Sequence, residues 1–419
     1  TAGDAHTCAR LDDLTTKCWG ENDAGRLGLG DTADRGDAAG EMGNALPAIS
    51  LGTGRTATAV TAGGLHTCAT LDTGLRKCWG ENANGQLGLG DTGDRGDAAG
   101  EMGNSLPTLD LGAGRTAHQI SAGGFFSCAR LDDGTVKCWG QAGSGKLGTG
   151  SPNNVGDAPG ELGDTLRPIP LGSGRTAQSV SAGSNHACAL LDNGQVKCWG
   201  SGLQGRLGRG STSDIGDSIS EMGDNLTAVD LGTGRTAVAV TAGGFHTCAI
   251  LDNGSVKCWG AGANGRLGLG DTANRGDAGG EMGDALPAVD LGTGRTATSI
   301  SAGSVHTCAL LDNGQVKCWG NNAQGRLGLG DANARGDNAG EMGDSLPAVS
   351  LGTGRTAVAI AAAGSHTCAL LDNGQVKCWG NNASGQLGYG DTTARGDNAG
   401  EMGNSLPAVD LGPGQSVRA

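Results

Sequence analysis

The chain has 419 residues, of which 83 are glycine, 14 cysteine and 7 tryptophan, with 3% aromatic residues and a formal net charge of −14 at pH 7. Glycine this frequent without a Gly-X-Y triplet excludes collagen, and 37% hydrophobic content excludes a disordered chain. No apolar stretch approaches the ~18 residues that span a bilayer, Thr1-Ala2-Gly3-Asp4 does not read as a signal peptide, and basic residues dispersed singly in an acidic excess predict no nucleic-acid partner and no membrane insertion.

From the N-terminus, Ala5–Leu11 and Thr15–Trp19 read as two short strands. The string that opens at His66, HTCATLDTGLRKCWGENANGQLGLGD, then recurs at a constant offset of 60 residues from His6, His186, His246, His306 and His366, with a variant from Phe126. Such self-similarity marks a repeat architecture whose units bury their faces on one another. In the copy that opens at Leu286, the runs Pro287–Leu291, Thr296–Ala302, His306–Leu311 and Gln315–Trp319 are apolar or alternating and are separated by Gly, Asp and Asn, which predicts a four-stranded meander. No segment sustains a 3.6-residue apolar period, so little helix is expected. At the C-terminus, Pro407–Leu411 and Ser416–Ala419 match the first two strands of a unit, as the N-terminal pair matches the last two. An open array would leave two half-sheets with raw edges, whereas a ring joins them. The expected fold is therefore all-β, a seven-bladed β-propeller with four-stranded antiparallel blades. Its blades span about 47–80, 107–140, 167–200, 227–260, 287–320 and 347–380, and the N- and C-terminal strands close the last one, 407–419 with 1–20.

Each unit holds two cysteines ten positions apart. Asp312-Asn313-Gly314 reads as a three-residue hairpin loop with Gly in the left-handed region, so Leu311 faces Gln315 and, counting back, Cys308 faces Cys318. Opposed residues of an antiparallel pair lie ~4.5 to 5.5 Å apart, within disulfide reach. Seven disulfides follow: Cys8 with Cys18, Cys68 with Cys78, Cys128 with Cys138, Cys188 with Cys198, Cys248 with Cys258, Cys308 with Cys318, and Cys368 with Cys378. Zinc on His306, Cys308 and Cys318 is the rival reading. It fits poorly with the third copy, which keeps Cys128 and Cys138 but has Phe126 in place of the histidine. Short clipped loops contribute roughly 2–3 kcal/mol each in the chain-entropy model, and their number predicts an oxidising compartment, extracellular, at the cell surface or periplasmic. In the first copy Leu14 occupies the glycine position of the turn, so that turn is expected to differ from the other six.

The pattern A-G-x-x-H-T-C-A-L-x-D-N-G-x-V-K-C-W-G-x-N-x-x-G-x-L-G-x-G-D at Ala302–Asp331 resembles the repeat of the regulator-of-chromosome-condensation family, and the resemblance covers all seven units. It implies a seven-bladed propeller with one blade split between the termini. The family spans a nuclear nucleotide-exchange factor that binds chromatin, a plant UV-B receptor with clustered tryptophans, and a secreted bacterial β-lactamase inhibitor. Acidity and disulfides argue against the first. The receptor's tryptophans sit before the His-Thr pair, where this chain has Leu65, Asn185, Phe245, Val305 and Ser365. Trp19, Trp79, Trp139, Trp199, Trp259, Trp319 and Trp379 occupy the family's structural position, which leaves a secreted bacterial interaction module.

Between Trp and the next strand the units carry about ten residues more than the family pattern, as in Arg335–Pro347, making connections long enough to be self-ordered or functional. They hold carboxylates at Asp31, Asp37 and Glu41, Asp91, Asp97 and Glu101, Asp277 and Glu281, Asp337 and Glu341, and Asp397 and Glu401. Interleaved with glycine carbonyls, these have the composition of a weak Ca²⁺ site in each blade. The plainer expectation is no cofactor, with the carboxylates paired to Arg55, Arg115, Arg175, Arg235, Arg295 and Arg355 or capping turns. Arg-Gly-Asp occurs five times, first at Arg35–Asp37, and counts as one duplicated event rather than an adhesion signal. The third and fourth copies depart together, with Ser151 and Ser211 for Asp, Val155 and Ile215 for Arg, and Arg167 and Thr227 for Pro. Phe125, Phe126, Val155 and Ile215 are the candidate partner-binding residues of this less charged sector.

No catalytic constellation is present: there is no G-x-S-x-G, His118 is isolated, and the repeated His-Thr pair reads as an internal hydrogen bond that supports its own hairpin. The chain is read as no enzyme but as a secreted or cell-surface propeller that binds a protein, including an enzyme it inhibits. The alternative is a module for Ca²⁺ or carbohydrate with one weak site in each blade, and near-identical copies also suit self-assembly.

Overall fold

The computed structural model describes residues 1–418, so Ala419, the end of the expected strand Ser416–Ala419, lies outside the described residues. Strands β1 (His6–Arg10) and β2 (Thr16–Gly20) form a two-stranded sheet, and β3 (Ala57–Ala62), β4 (His66–Leu71) and β5 (Arg76–Gly80) form the first of six three-stranded antiparallel meanders. The last meander comprises Ala357–Ala362, His366–Leu371 and Val376–Gly380. Regular helix is confined to three-residue 3-10 turns.

The register follows the turn chemistry. Cys8 faces Cys18 and Cys308 faces Cys318, and all seven predicted pairs are bonded across their hairpins with Cα atoms 4.0 to 4.1 Å apart. Leu14 corrects an expectation. It takes the left-handed conformation (φ 72°) that Gly74 (82°) takes in the next unit, and the turn closes alike, Leu14 N to Leu11 O at 3.1 Å and Gly74 N to Leu71 O at 2.9 Å. The clipped ladder on either side holds the turn, and the strain is borne there.

The fourth strand is also corrected, because each full sheet has three. The segment Pro287–Leu291 makes one backbone bond, Val289 N to Val256 O at 2.8 Å, to the outer strand of the preceding unit. Proline supplies no donor, the Asp290 carbonyl accepts from Gly343 N at 3.0 Å, and the Leu291 carbonyl accepts from Lys317 Nζ at 3.1 Å. These groups are not available to a ladder. The outer edge is instead covered at points, by Val289 at one end and by an isolated bridge between Gly260 and Arg275 at the other.

The core lies between units. Trp79 is fully buried against the Cys8 and Cys18 side chains and Leu27 of the preceding unit, and Trp19 packs in the same way on Cys378 and Leu387. The close approach requires glycine at position 28: a Cβ there would stand 2.7 Å from Trp79 Nε1. Contacts between the last and first units repeat those between the others. Gly390 N donates to Gly36 O at 2.9 Å as Gly30 N does to Gly96 O at 2.8 Å, Val417 bridges Leu11, and Arg418 N donates to Arg10 O at 3.0 Å.

Candidate functional site

The repeated histidine does not support its own hairpin, as expected from sequence; it reaches the next unit. His6 Nε2 lies 2.8 Å from Thr67 Oγ1, whose hydroxyl donates to Arg26 O at 2.9 Å, so the imidazole donates from Nε2. Trp79 Nε1 donates to the same Arg26 carbonyl at 3.1 Å. Equivalent His contacts run from His66 to Ser127, His186 to Thr247, His246 to Thr307 and His306 to Thr367, and from His366 to Thr7 between the last unit and the first. Burial holds these imidazoles neutral, with His66 lowered to about 4 and His246 and His366 to about 3. Their Nδ1 atoms are buried without partners among the described residues.

The remaining junction differs at both ends. Phe126 replaces histidine and Ala187, in the next unit, replaces threonine. Both are fully buried, while Trp199 Nε1 still donates to Lys146 O at 3.0 Å. Phe126 is therefore not a partner-binding residue: it fills a histidine's interior site. Ile215 is also withdrawn, 7% exposed beside Gly200, to which it is bridged. Phe125 remains at the surface, and Val155 lines an open cleft of about 530 Å³ formed by the loops of the third and fourth units. Leu166, Pro168, Ile169 and Pro170 form its apolar wall with Ile219, which is 58% exposed. The sequence signal for Ile219 was its place in a loop that elsewhere carries Ala, Gly or Pro, as at Ala39, Pro159 and Gly279.

The acidic loops are internally engaged. Asp31 and Asp91 pair with Arg35 and Arg95 at 2.6 Å, Asp331 pairs with Arg335 at 2.6 Å, and Asp391 with Arg395 at 2.7 Å. The arginine of Arg-Gly-Asp is thereby tied to its own loop. Arg55, Arg115, Arg175, Arg235, Arg295 and Arg355 pair elsewhere than expected, on the hairpin-turn acids Asp72, Asp132, Asp192, Asp252, Asp312 and Asp372. Glu41 accepts from Gly36 N and Ala38 N at 2.9 and 3.0 Å, and Glu101, Glu281, Glu341 and Glu401 repeat the cap. Asp337 and Asp397 are raised by burial and by the neighbouring Glu341 and Glu401; Asp37, Asp97 and Asp277 hold the same loop position. Among the described residues no group of three or more His, Cys, Asp or Glu is placed to share a metal ion, and no helix is long and apolar enough to cross a membrane.

The Ala-Gly-x segments of all seven units, from Ala2-Gly3-Asp4 to Ala362-Ala363-Gly364, line one narrow hollow of about 90 Å³. They are linked circumferentially, Gly64 N to Gly123 O at 2.9 Å, Gly124 N to Gly183 O at 3.1 Å and Gly364 N to Gly3 O at 3.4 Å. A Cβ on Gly63 would stand 2.5 Å from Gly123 O.

The model of the RCC1-like domain matches residues 15–401. The chain belongs to the RCC1-like domain family. Among its relatives, the ultraviolet-B receptor UVR8 of Arabidopsis thaliana is 27% identical over 402 residues, 94% of this chain and 79% of that protein. The E3 ubiquitin-protein ligase HERC2 of Mus musculus is 31% identical over 325 residues, 75% of this chain but 6% of that protein. Among solved RCC1-like folds, yeast RCC1 (Prp20) bound to Kap60 superposes with a TM-score of 0.67 at 19% identity, covering 97% of this chain and 85% of the other. Prp20p of Saccharomyces cerevisiae gives 0.63 at 19% identity, covering 93% and 84%.

Proposed function

We propose that the chain is a closed propeller acting outside the cytoplasm of a bacterium, as a secreted or surface-held, non-catalytic module that docks a protein on the sector of its third and fourth units. Closure is supported by the His366 to Thr7, Gly390 to Gly36 and Arg418 to Arg10 bonds between the last unit and the first. Seven buried disulfides in a chain without a free cysteine support an oxidising compartment. Relatives support protein as the ligand class, since yeast RCC1 has been solved with Kap60 and Prp20p studied for binding to Gsp1p and histones.

The observation that carries the docking sector is the cleft beside Ile219. Five of the seven loops hold an Asp–Arg pair, whereas the two of this sector have Ser151 and Val155, and Ser211 and Ile215, in its place and leave an apolar wall open to solvent. A photo-crosslinking residue at Ile219, tested on the protein in its own extracellular fraction, is expected to give a discrete adduct with one protein. The same residue at exposed Val358 gives none, and Ile219→Asp abolishes capture by a probe at Val155. Equal labelling from Val358 counts against the sector, and calorimetry showing close to seven Ca²⁺ bound would replace this reading with that of a ligand module.

A further inference from the structure

The residue whose carbonyl receives the Trp and Thr bonds is Arg26, Gln86, Lys146, Arg206, Arg266, Arg326 or Gln386, according to the unit. These bonds fix the backbone, so the side chains are presented from fixed positions. The five cations are 2% to 7% exposed. A cation so largely buried gains from a partner, and the terminal nitrogens of Arg206, Arg266 and Arg326 that lack one are not among the atoms closed off from solvent. Arg26 has a partner, the Glu21 carboxylate at 2.5 Å, and Lys146 Nζ donates to Gln141 Oε1 and Asn185 Oδ1 at 2.7 and 2.8 Å.

Arg206, Arg266 and Arg326 pair with no carboxylate among the described residues. Where the first unit has Glu21, their units have Ser201, Ala261 and Asn321. Each Nε donates back to a local carbonyl, of Leu203, Ala263 and Ala323, at 2.9, 2.9 and 3.0 Å. Beyond that, Arg206 Nη1 reaches Gly244 O at 3.3 Å and Arg326 Nη2 reaches Gln324 Oε1 at 3.5 Å, while neither terminal nitrogen of Arg266 meets an acceptor among the described residues. Arg206 and Arg266 flank one phenyl ring, their Cζ atoms 5.5 and 5.4 Å from the centre of Phe245, which is 40% exposed. Burial lowers both pKa values, and the charge of Arg206 lowers that of Arg266 further. Asp214 acts on Arg206, but its Oδ1 already accepts from Gly202 N at 2.9 Å.

A chain with 43 acidic residues leaves these three successive guanidiniums without an ion pair among the described residues. We propose that Arg206, Arg266 and Arg326, with the exposed face of Phe245, form a docking site for an acidic segment of a partner protein. The free terminal N–H groups donate to its carboxylates, the fork geometry of guanidinium favouring paired bonds, and an apolar residue of the segment covers the phenyl ring. The cations come from three consecutive units, so an extended ligand bearing carboxylates in series fits where one small anion reaches only part of the array. The site is separate from the cleft at Ile219, and either stands without the other.

The test is fluorescence anisotropy with a labelled peptide alternating glutamate and leucine, its glutamine counterpart as control. The glutamate peptide is expected to bind the full chain more tightly than the control by at least about tenfold, less so as salt rises. Arg206→Gln/Arg266→Gln removes about tenfold or more of that affinity; glutamine stands at this position in two other units, so the fold accommodates it and the melting temperature holds. Arg235→Gln/Arg355→Gln removes the same charge from exposed pairs and changes binding by less than about twofold. Ile219→Asp leaves it unchanged. Equal binding of both peptides, an Arg206→Gln/Arg266→Gln protein that binds like the wild type, or full displacement by equimolar inorganic phosphate would each overturn the proposal.

Discussion

Two places where the chain breaks its own repeat behave in opposite ways. At the junction of the third and fourth units, Phe126 and Ala187 replace the histidine and threonine of the other junctions, and the contact itself has changed from a buried hydrogen bond to apolar packing. At the first hairpin turn, Leu14 replaces glycine, yet the left-handed backbone is kept. Side-chain partners are thus exchangeable when both change together, because neither is left buried and unsatisfied. Backbone geometry between two clipped strands is not exchangeable, and the misfit residue carries the strain.

The comparison breaks most visibly in acid. Six imidazoles are held neutral by burial, whereas the Phe126 junction has nothing to titrate. Once unfolded they bind protons below pH 6.5, so stability is full above that value and falls as pH drops through about 4, where His66 itself titrates. His66 alone accounts for on the order of 3 kcal/mol. Denaturant unfolding at pH 7.5 and 4.5 with disulfides intact is expected to show a loss of several kcal/mol, and an unchanged midpoint would contradict the burial.

A smaller effect sharpens the same contrast. Phe126→His alone sets an imidazole against Ala187 with no acceptor and costs about 3 kcal/mol, while adding Ala187→Thr recovers most of it, a coupling measurable by a double-mutant cycle. Thr307→Ala, which strands His246 Nε2, costs about 2 kcal/mol by the same unfolding measurement. The smallest change runs the other way: Leu14→Gly relieves the turn and raises stability by up to about 1 kcal/mol, whereas Gly74→Leu destabilises by a similar amount.

What was legible in the sequence follows from the range of each interaction. The disulfide register rests on ten residues and one turn type, so counting from Asp312-Asn313-Gly314 suffices. The His to Thr contact spans 61 residues and two units, and hairpin logic misassigned it. Its trace was present in the joint departure of Phe126 and Ala187, one unit plus one residue apart, which was misread as a surface aromatic. The fourth strand failed because the Lys317 ammonium, 26 residues along the chain, takes the Leu291 carbonyl that a ladder needs, and no periodicity of Pro287–Leu291 reveals that competitor. Loop acids were legible as engaged, but with the wrong arginines, since Arg35 lies four residues from Asp31 and wins by proximity.

Closure is tested most directly by amide hydrogen exchange at the seam between the last and first units. Gly390 N–H, bonded to Gly36 O, and Gly43 N–H, bonded to Asp410 O, are expected to be protected to within about tenfold of Gly90 and Gly103, which make the equivalent bonds to Gly156 O and Ser50 O inside the array. Exchange of Gly390 and Gly43 at the rate of unstructured amides, with Gly90 and Gly103 still protected, would show an open spiral and contradict the account.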